Sequence, residues 1–391
     1  MKITKAELIP VSSPMAHPLI MPNTYITEIH SVVLKLYTDD GLVGFADGGD
    51  TSSWYRGELQ DSMMAMLASH LIPNCVLGAD PNNIEAIVAK MDLLTNDNNQ
   101  SKATVDFALH DLKGKALNTP VYNLLGGKSK DYVETGWVSS PGTDEEVVTE
   151  AEKALAAGYS MVKQKIGRGS VKEDVAMIKA LREGVGHDVT LVADVNGFWN
   201  YEEALHALKE LEDVNLFFIE QPLPRWDVQG MARLRQKVGT PIYADEAVQD
   251  IYQIREIAER QAADGLMIKM QKVGGLVKAK RFLTMARAVD LPVLSGCMSG
   301  SGLEASPAAH FLVADQWASQ FVHENVGPLT NHYQFDTVSG NPHQQLDVAK
   351  NVPVYKDGKL YPNEGPGLGI ELNEEFIAEY QTPGRDIVVV E

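Results

Sequence analysis

Five charged residues recur at nearly regular intervals through the middle of the chain, and their types suit metal-assisted acid–base chemistry. They are Lys165, Asp194, Glu220, Asp245 and Lys269, each 24 to 29 residues after the one before. Each ends or follows a short apolar run, and the interval equals one strand with its crossover helix. Because the carboxyl ends of neighbouring parallel strands share one face of a barrel, we expect the five groups to meet there.

The three carboxylates in this series, Asp194, Glu220 and Asp245, offer only oxygen donors. Mg²⁺ takes such hard ligands and keeps positions open for substrate oxygens, and Mn²⁺ accepts the same ligands. No histidine or cysteine accompanies them at the strand ends, which disfavours zinc. The sequence therefore predicts a Mg²⁺ site formed by these three residues, with Mn²⁺ as a substitute.

Two lysines, Lys165 and Lys269, flank the carboxylates in the order of strands, and Lys163 lies two residues before Lys165 in "MVKQKIGRG". Side chains alternate along a strand, so Lys163 and Lys165 share one face. A nearby cation and partial burial both lower the pKa of a lysine, which lets it act as a base near neutral pH. We expect Lys165 and Lys269 to be catalytic, with Lys163 as an electrostatic neighbour or a ligand of the substrate carboxylate.

Further polar residues follow the same strands and are candidate substrate contacts. Asn196 lies two residues after Asp194, and Glu324 ends the predicted eighth strand in "FVHENVGP". Ser299 and Ser301 follow the seventh strand in "LSGCMSGSGLE". Each has a structural alternative, because asparagine and serine also form turns and caps in loops.

The elements that must position these residues form an α/β protein with a predicted (β/α)8 TIM-type barrel. Residues 1–130 read as strands followed by helices, which is typical of an α+β capping domain. Residues 131–355 alternate strand and helix with eight strand candidates, whereas an open doubly wound sheet would usually have fewer strands. Residues 356–391 contain short strand patterns between Gly and Pro turns, and we expect this tail to return to the cap.

Composition limits the classes of partner. The chain has 391 residues, a net charge of −19 and two cysteines, Cys75 and Cys297. The acidic balance argues against nucleic acid and anionic membrane as partners, and no apolar run reaches the roughly 20 residues of a membrane helix. Two cysteines without a signal-peptide pattern lead us to expect a reducing, cytoplasmic location. Motifs for nucleotide binding, for serine nucleophiles and for zinc hydrolysis are absent from the sequence.

The motifs resemble the enolase superfamily, and within it the muconate lactonizing enzyme subgroup. The matching pieces are "KQK", "ADVNG", "IEQP", "ADE" and "IKMQKVGG", supported by "NLLGGK" before the barrel and "GPGLGI" near the end. The resemblance implies a modified, enolase-like barrel and a Mg²⁺-dependent enzyme that removes the proton α to a carboxylate. It also implies Asp194, Glu220 and Asp245 as metal ligands, Lys165 and Lys269 as acid–base residues, and a homo-oligomer.

Some features depart from related groups. Mandelate racemases use a histidine paired with an aspartate where Lys269 lies, and dipeptide epimerases usually carry D-x-D where this chain has "HENVG". The cap hairpin reads "GFADGG" instead of a G-x-G-E run. By the same resemblance, cap loops near residues 14–28 and 48–58 select the substrate. Their aromatic and cationic residues are Tyr25, Trp54, Tyr55 and Arg56.

Two lysines facing one α-carbon predict a racemase or epimerase that acts on an amino-acid-type carboxylate, such as a proline or betaine derivative. A second carboxylate on the substrate would find few cations in the cap loops, whereas aromatic faces and Glu324 would favour an ammonium. The same site also suits a lyase or dehydratase of the cis-hydroxyproline type, or a muconate-type cycloisomerase. Alternatives of another kind are a non-catalytic metal- or ligand-binding barrel and a Schiff-base lysine enzyme.

Overall fold

The computed structural model describes residues 1–50, 57–298, 300–332 and 347–391. In chain order the strands are β1 (Ile3–Met21), β2 (Thr24–Thr38), β3 (Val43–Asp50), β4 (Val133–Thr135), β5 (Trp137–Ser139), β6 (Met161–Lys165), β7 (Thr190–Asp194), β8 (Phe218–Glu220), β9 (Ile242–Ala244), β10 (Gly265–Ile268), β11 (Val293–Ser295), β12 (Val322–His323), β13 (Val354–Lys356), β14 (Lys359–Tyr361) and β15 (Val388–Val390).

The α-helices are α1 (Gln60–Met66), α2 (Ile84–Leu94), α3 (Asn99–Ala116), α4 (Val121–Leu124), α5 (Asp144–Ala156), α6 (Val171–Val185), α7 (Tyr201–Glu210), α8 (Val228–Arg235), α9 (Ile251–Arg260), α10 (Met270–Val273), α11 (Leu276–Ala288), α12 (Gly302–Ala314), α13 (Gly327–His332) and α14 (Glu374–Glu379). A π-helical segment, Leu67–Val76, continues α1, and short 3₁₀ turns span Glu212–Val214 and Ala318–Gln320. None of the helices in the described ranges is long and apolar enough to cross a bilayer.

The cap is an antiparallel sheet with helices packed on it. Its strand order is β15-β1-β2-β3, so the last strand of the chain pairs with the first. Helix α3 lies against β3 at a distance that only glycine allows, because a Cβ at Gly44 would come within 2.5 Å of the Ala108 carbonyl oxygen. The predicted division at residues 130 and 355 remains a prediction, although β15 does join the tail to the cap sheet.

Seven parallel strands form the sheet that carries the charged residues, in the order β11-β10-β9-β8-β7-β6-β5. Adjacent strands in sequence are adjacent in space, which is the arrangement expected of right-handed strand–helix–strand units. Capping boxes start the helices that follow two of the functional strands. Ser170 with Glu173 begins α6, and Asn200 with Glu203 begins α7. These caps limit the length of the loops that leave the catalytic face.

The predicted α/β barrel with an enolase-like cap is confirmed, and its closure is irregular. The first predicted strand divides at Gly136 into β4 and β5, and a Cβ at Gly136 would lie 2.5 Å from the side chain of Met161, so only glycine fits at the division. The eighth strand, β12, has only two residues and pairs with β4. Single backbone hydrogen bonds complete the barrel on both sides of β12: the amide of Gly136 donates to the carbonyl of His323, and the amide of Glu324 donates to the carbonyl of Ser295.

A layer of large side chains fills the barrel beneath the charged residues. Four of its members lie two residues before Asp194, Glu220, Asp245 and Lys269, so they point the same way as those groups. The layer consists of Met161, Val192, Phe218, Tyr243, Met267 and Leu294. The rings of Phe218 and Tyr243 stack with centroids 4.0 Å apart. This layer closes the barrel below the site and keeps water from reaching it from that side.

Candidate active site

The strand ends bring all five predicted residues to one face of the barrel. Lys165, Asp194 and Glu220 are the last residues of β6, β7 and β8, and Asp245 and Lys269 directly follow β9 and β10. In the ladder Lys165 lies opposite Asp194, which lies opposite Glu220. The five side chains are buried, with the two lysines only 7% and 5% exposed.

The two flanking lysines contact opposite ends of the row of carboxylates. The Lys165 ammonium donates to Asp194 Oδ2 at 2.9 Å and to Asn196 Oδ1 at 3.0 Å. The Lys269 ammonium donates to Asp245 Oδ2 at 2.6 Å. Glu220 lies on β8, between the strands that carry these two contacts. The geometry therefore places one lysine on each side of the carboxylates.

Lys163 lies deeper in the same cluster and contacts three carboxylates. Its Nζ is 2.9 Å from Glu220 Oε2 and 3.3 Å from Asp194 Oδ2, and it also forms an ion pair with Glu324. An ammonium shared among three carboxylates offsets part of their mutual repulsion. Lys163 lies two residues before Lys165 on β6, so strand alternation places both side chains on the same face, with Lys163 deeper in the barrel.

The neighbouring carboxylates keep Lys163 and Lys269 charged in this arrangement. Burial acts to lower the pKa of Lys163, but Glu220, Glu324 and Asp194 outweigh it and hold that pKa well above its ordinary value. Lys269 behaves in the same way, because Asp245 and Glu220 outweigh its burial and raise its pKa. Both side chains are therefore ammonium ions in this arrangement, so the lowered lysine pKa expected from the sequence is not found for Lys269 among these carboxylates.

The three carboxyl groups differ in the direction in which their pKa values are shifted. Burial acts to raise the pKa of Asp194, but Lys165 and Lys163 outweigh it and lower the pKa to about 2. The lysines around Asp245 overcome its burial in the same way and hold its pKa well below the usual range. Glu220 shows the opposite shift, because burial and the charge of Asp194 raise its pKa well above the ordinary value.

The three carboxylates fit a divalent cation by donor chemistry. All their donors are oxygens, and Glu220 Oε1 is buried without a hydrogen-bond partner within the described part of the chain. Lysine ammonium groups contact each of these carboxylates. Among the described residues, no three His, Cys, Asp or Glu side chains are already arranged to hold a metal ion. Metal binding would thus draw the carboxylate oxygens away from the lysines toward the cation.

Two charged residues of the site were missed from the sequence. Lys272, one helical turn after Lys269, donates to the Asp245 carbonyl at 2.7 Å and the Met267 carbonyl at 3.0 Å, and it forms an ion pair with Asp245 Oδ1. Glu246 directly follows Asp245, and burial together with the charge of Asp245 raises its pKa to about 7. The i, i+3 spacing of the two lysines was a usable signal for Lys272, whereas nothing in the local pattern marked Glu246.

The remaining candidates occupy different positions. Asn196 adopts a left-handed backbone conformation, with φ of 50°, and its Nδ2 donates to Glu246 Oε1 at 3.0 Å. It therefore serves a turn and also links Lys165 to Glu246. Ser301 caps α12 and donates to Asp47 Oδ2 of the cap at 2.6 Å. Tyr25 lies near the tip of the β1–β2 hairpin and is 56% exposed.

Their role in substrate binding, like that of Glu324, remains a prediction. Four further candidates, Ser299, Trp54, Tyr55 and Arg56, lie outside the described residues.

Comparison with known proteins extends over the whole chain. Residues 3–126 match the family model described as "Mandelate racemase / muconate lactonizing enzyme, N-terminal domain", and residues 146–376 match "Enolase C-terminal domain-like". An N-succinyl-L-Arg/Lys racemase of Bacillus cereus is 33% identical over 99% of this chain and 100% of its own length. Muconate cycloisomerase 1 of Pseudomonas putida is 28% identical over 89% of this chain and 90% of its own.

A solved structure shows the same architecture. The mandelate racemase/muconate lactonizing family protein from Azoarcus sp. EbN1 has 53% sequence identity and a TM-score of 0.94, and the match covers 100% of both chains. The fold described above is therefore shared with this relative along its full length.

Proposed function

Since the chain belongs to the mandelate racemase/muconate lactonizing enzyme family of the enolase superfamily, we propose that it racemises or epimerises a small amino-acid-type carboxylate. As a member of this family it is an enzyme that abstracts the α-proton of a carboxylate. The proposal concerns the second half of the reaction, in which a proton returns to the opposite face of the α-carbon.

The observation that carries the proposal is the placement of Lys165 and Lys269 at opposite ends of the carboxylate row. Lys165 contacts Asp194, and Lys269 contacts Asp245, with Glu220 on the strand between them. A neutral lysine on one side would take the α-proton, while the ammonium on the other side would deliver one. Two acid–base groups of the same type allow the reaction to run in both directions.

Family members typically use a divalent metal, and we propose Mg²⁺, with Mn²⁺ as a substitute, held by Asp194, Glu220 and Asp245. When bound, the cation would supply the fixed positive charge that stabilises the enolate. Lys163 would hold Glu220 and Glu324 in place through its ion pairs. The apolar layer under the site limits access of water from below, which strengthens each of these charge interactions.

The surroundings of the site support a substrate with a neutral or cationic group, such as a proline or betaine derivative. The β1–β2 hairpin places Met21, with Leu19 and Ile26, against Met298 of the barrel, which makes an apolar contact beside the loop after β11. A cation near this hairpin, Arg168, donates to the carbonyl of Met21 at 3.2 Å. A second substrate carboxylate beside the apolar residues would be costly unless Arg168 left its carbonyl partners to pair with it.

The experiment is an exchange screen in D2O with Mg²⁺ against a library of α-chiral carboxylates, followed by NMR and polarimetry. We expect loss of the α-proton signal together with inversion for amino-acid-type members. Exchange with formation of an unsaturated or keto product would replace the proposal with a lyase of the cis-hydroxyproline type. Absence of α-proton exchange for every member would refute α-proton abstraction on such carboxylates.

A muconate-type cycloisomerase is the second candidate, because relatives of that name are 28% identical over most of this chain. It would use the same carboxylates but only one obligatory lysine. Adding cis,cis-muconate to the screen separates the two functions: a kcat/KM for muconate well above that for proline betaine or hydroxyproline would favour cycloisomerisation. Borohydride inactivation that depends on substrate would indicate a Schiff-base lysine instead.

A further inference from the structure

A buried glutamine next to the catalytic residues lacks hydrogen bonds. Gln271 is 0% exposed, and neither its Oε1 nor its Nε2 has a hydrogen-bond partner within the described ranges. Buried amides are nearly always paired, since an unpaired donor and acceptor forfeit the hydrogen bonds they make with water. The position therefore requires an explanation in terms of what the amide binds.

Gln271 lines a small polar pocket between the cap and the barrel. It lies on α10, two residues after Lys269, and the other walls include Gln249, Asn99 and Met298. Lys272 also lines the pocket while it contacts the metal-ligand candidate Asp245. The pocket thus adjoins the reaction centre, and a substrate whose α-carbon lies between the lysines can extend a side group toward it.

Other polar groups of the pocket already have partners. The Lys272 ammonium has three donors, and it contacts Asp245 Oδ1, the Asp245 carbonyl and the Met267 carbonyl. Asn99 Nδ2 donates to the Lys272 carbonyl at 2.9 Å. Gln100 accepts from the amide of Glu58 and donates to the carbonyl of Gly49. Compared with Lys272, Asn99 and Gln100, Gln271 differs in that neither its amide donor nor its amide acceptor has a hydrogen-bond partner in the described part of the chain.

We propose that Gln271 is a specificity-determining residue that binds an uncharged substrate group with both a hydrogen-bond donor and an acceptor, such as a carboxamide or a hydroxyl. A carboxylate would satisfy Nε2 but would face the Oε1 carbonyl and Asp97, which also lines the pocket. An ammonium would satisfy Oε1 and leave the Nε2 hydrogens unpaired. The assignment rests on the proposed function, because it locates the side group of the same α-carboxylate.

The kinetic test compares wild type with Gln271→Met, which keeps the length of the side chain and removes both polar atoms. Substrates are used in pairs that differ only in the polar group: glutamine with methionine, and hydroxyproline betaine with proline betaine. We expect the variant to lower kcat/KM for α-proton exchange at least about tenfold for the polar member, the loss of one or two hydrogen bonds. Exchange of the apolar member should stay within about twofold of wild type, since it makes no such bond.

An equal loss for both members, or no loss for either, would overturn the proposal. A wild-type preference for glutamate or lysine over glutamine would overturn it as well. Failure of the proposed function gives a different result, namely no exchange by wild type with any carboxylate. In that case the pocket is still tested by the shift in Tm that glutamine with Mg²⁺ produces. We expect this shift in wild type and not in Gln271→Met, and equal shifts in both proteins would refute the proposal.

The stability of the variants gives an independent readout. Gln271→Met should keep or raise the Tm, because it removes an unpaired buried amide. The matched control is Gln100→Met, which lines the same pocket but loses two hydrogen bonds and should lower the Tm. If Gln271→Met lowers the Tm as much as the control, the amide has a structural partner and the proposal is wrong. A higher Tm with unchanged kinetics would identify an ordinary water site and would overturn it too.

Discussion

A second group of buried carboxyls, where the cap meets helix α12, makes a sharp prediction about stability and pH. Asp47 of β3 accepts from Ser301, Asp347 accepts from the amide of Gly302, and Glu304 accepts from the amide of Met298. Burial raises the pKa of Glu304 to about 7, with a further contribution from the charge of Asp47. Because the folded state holds this proton more tightly than the unfolded chain does, folding stability falls as pH rises from below 4.5 through about 7.

The magnitude follows from the shift. Glu304 rises from 4.5 to about 7, and at 1.36 kcal/mol per pKa unit the ionised carboxyl costs roughly 3 kcal/mol of folding free energy well above pH 7. Glu304→Gln stays neutral and keeps the acceptor for the Met298 amide. We therefore expect the variant to be within about 1 kcal/mol of wild type at about pH 5 and to exceed it by roughly 3 kcal/mol at about pH 8.5. For a chain of 391 residues this corresponds to roughly 3–4 °C in Tm.

Calorimetry of both proteins in a pH series measures this difference. Burial also raises the pKa of Asp347 to about 7 and that of Asp47 to about 6. The dependence of wild-type stability on pH therefore contains contributions from several carboxyl groups. The gap between wild type and Glu304→Gln isolates one of them. The exposed Glu371→Gln is the control and should follow wild type at every pH. A constant gap from pH 5 to 8.5, or a gap that closes as pH rises, would refute the assignment of the proton to Glu304.

Three other outcomes follow from the site. Glu220→Gln, and treatment of wild type with EDTA, should each abolish turnover, and full activity in metal-free enzyme measured by D2O exchange would contradict the metal assignment. Lys165→Ala and Lys269→Ala should each abolish inversion, while one enantiomer still exchanges its α-proton in each variant. Polarimetry measures inversion beside the control Lys179→Ala, a half-exposed lysine on α6 far along the chain from the strand ends, and unchanged inversion in either catalytic variant would exclude the two-base reaction. Mg²⁺ binding should release protons, because the pKa of Glu220 is raised by burial and must fall on coordination. Calorimetry in buffers of different ionisation enthalpy measures this release, and equal binding heats in all buffers would contradict it.

The sequence predicted the strand ends because their physical cause is local. A period of two along β6 places Lys163 and Lys165 on one face, and one strand–helix unit separates each charged residue from the next. The apolar run before each charge marks the buried part of the strand. Asp194, Glu220 and Asp245 could therefore be located on adjacent strands without any tertiary information.

The parts that the sequence did not predict depend on contacts between distant segments. The first strand divides at Gly136, where the close approach of Met161 leaves room only for glycine, and no local pattern shows that approach. Lys272 and Glu246 join the site through the turn of α10 and the loop after β9, where strand alternation does not apply, and only the i, i+3 spacing from Lys269 marked Lys272. Gln271 is marked only by the absence of partners for its amide in the described residues, and that is visible only in the folded chain.

The two buried acidic clusters show how the fold selects the charge of a carboxyl. At the strand ends, four lysines accompany the carboxylates, and Asp194 and Asp245 have lowered pKa values because ammonium groups contact them directly. At the start of α12, Asp347 and Glu304 accept hydrogen bonds from backbone amides, which do not offset burial, and their pKa values rise to about 7. Carboxylates that bind a cation must be ionised, and the lysines hold two of the three proposed ligands, Asp194 and Asp245, in that state. Lysines along the strands therefore supply the acid–base groups and keep Asp194 and Asp245 in the charge state that a metal requires, whereas Glu220 reaches that state only by losing its proton.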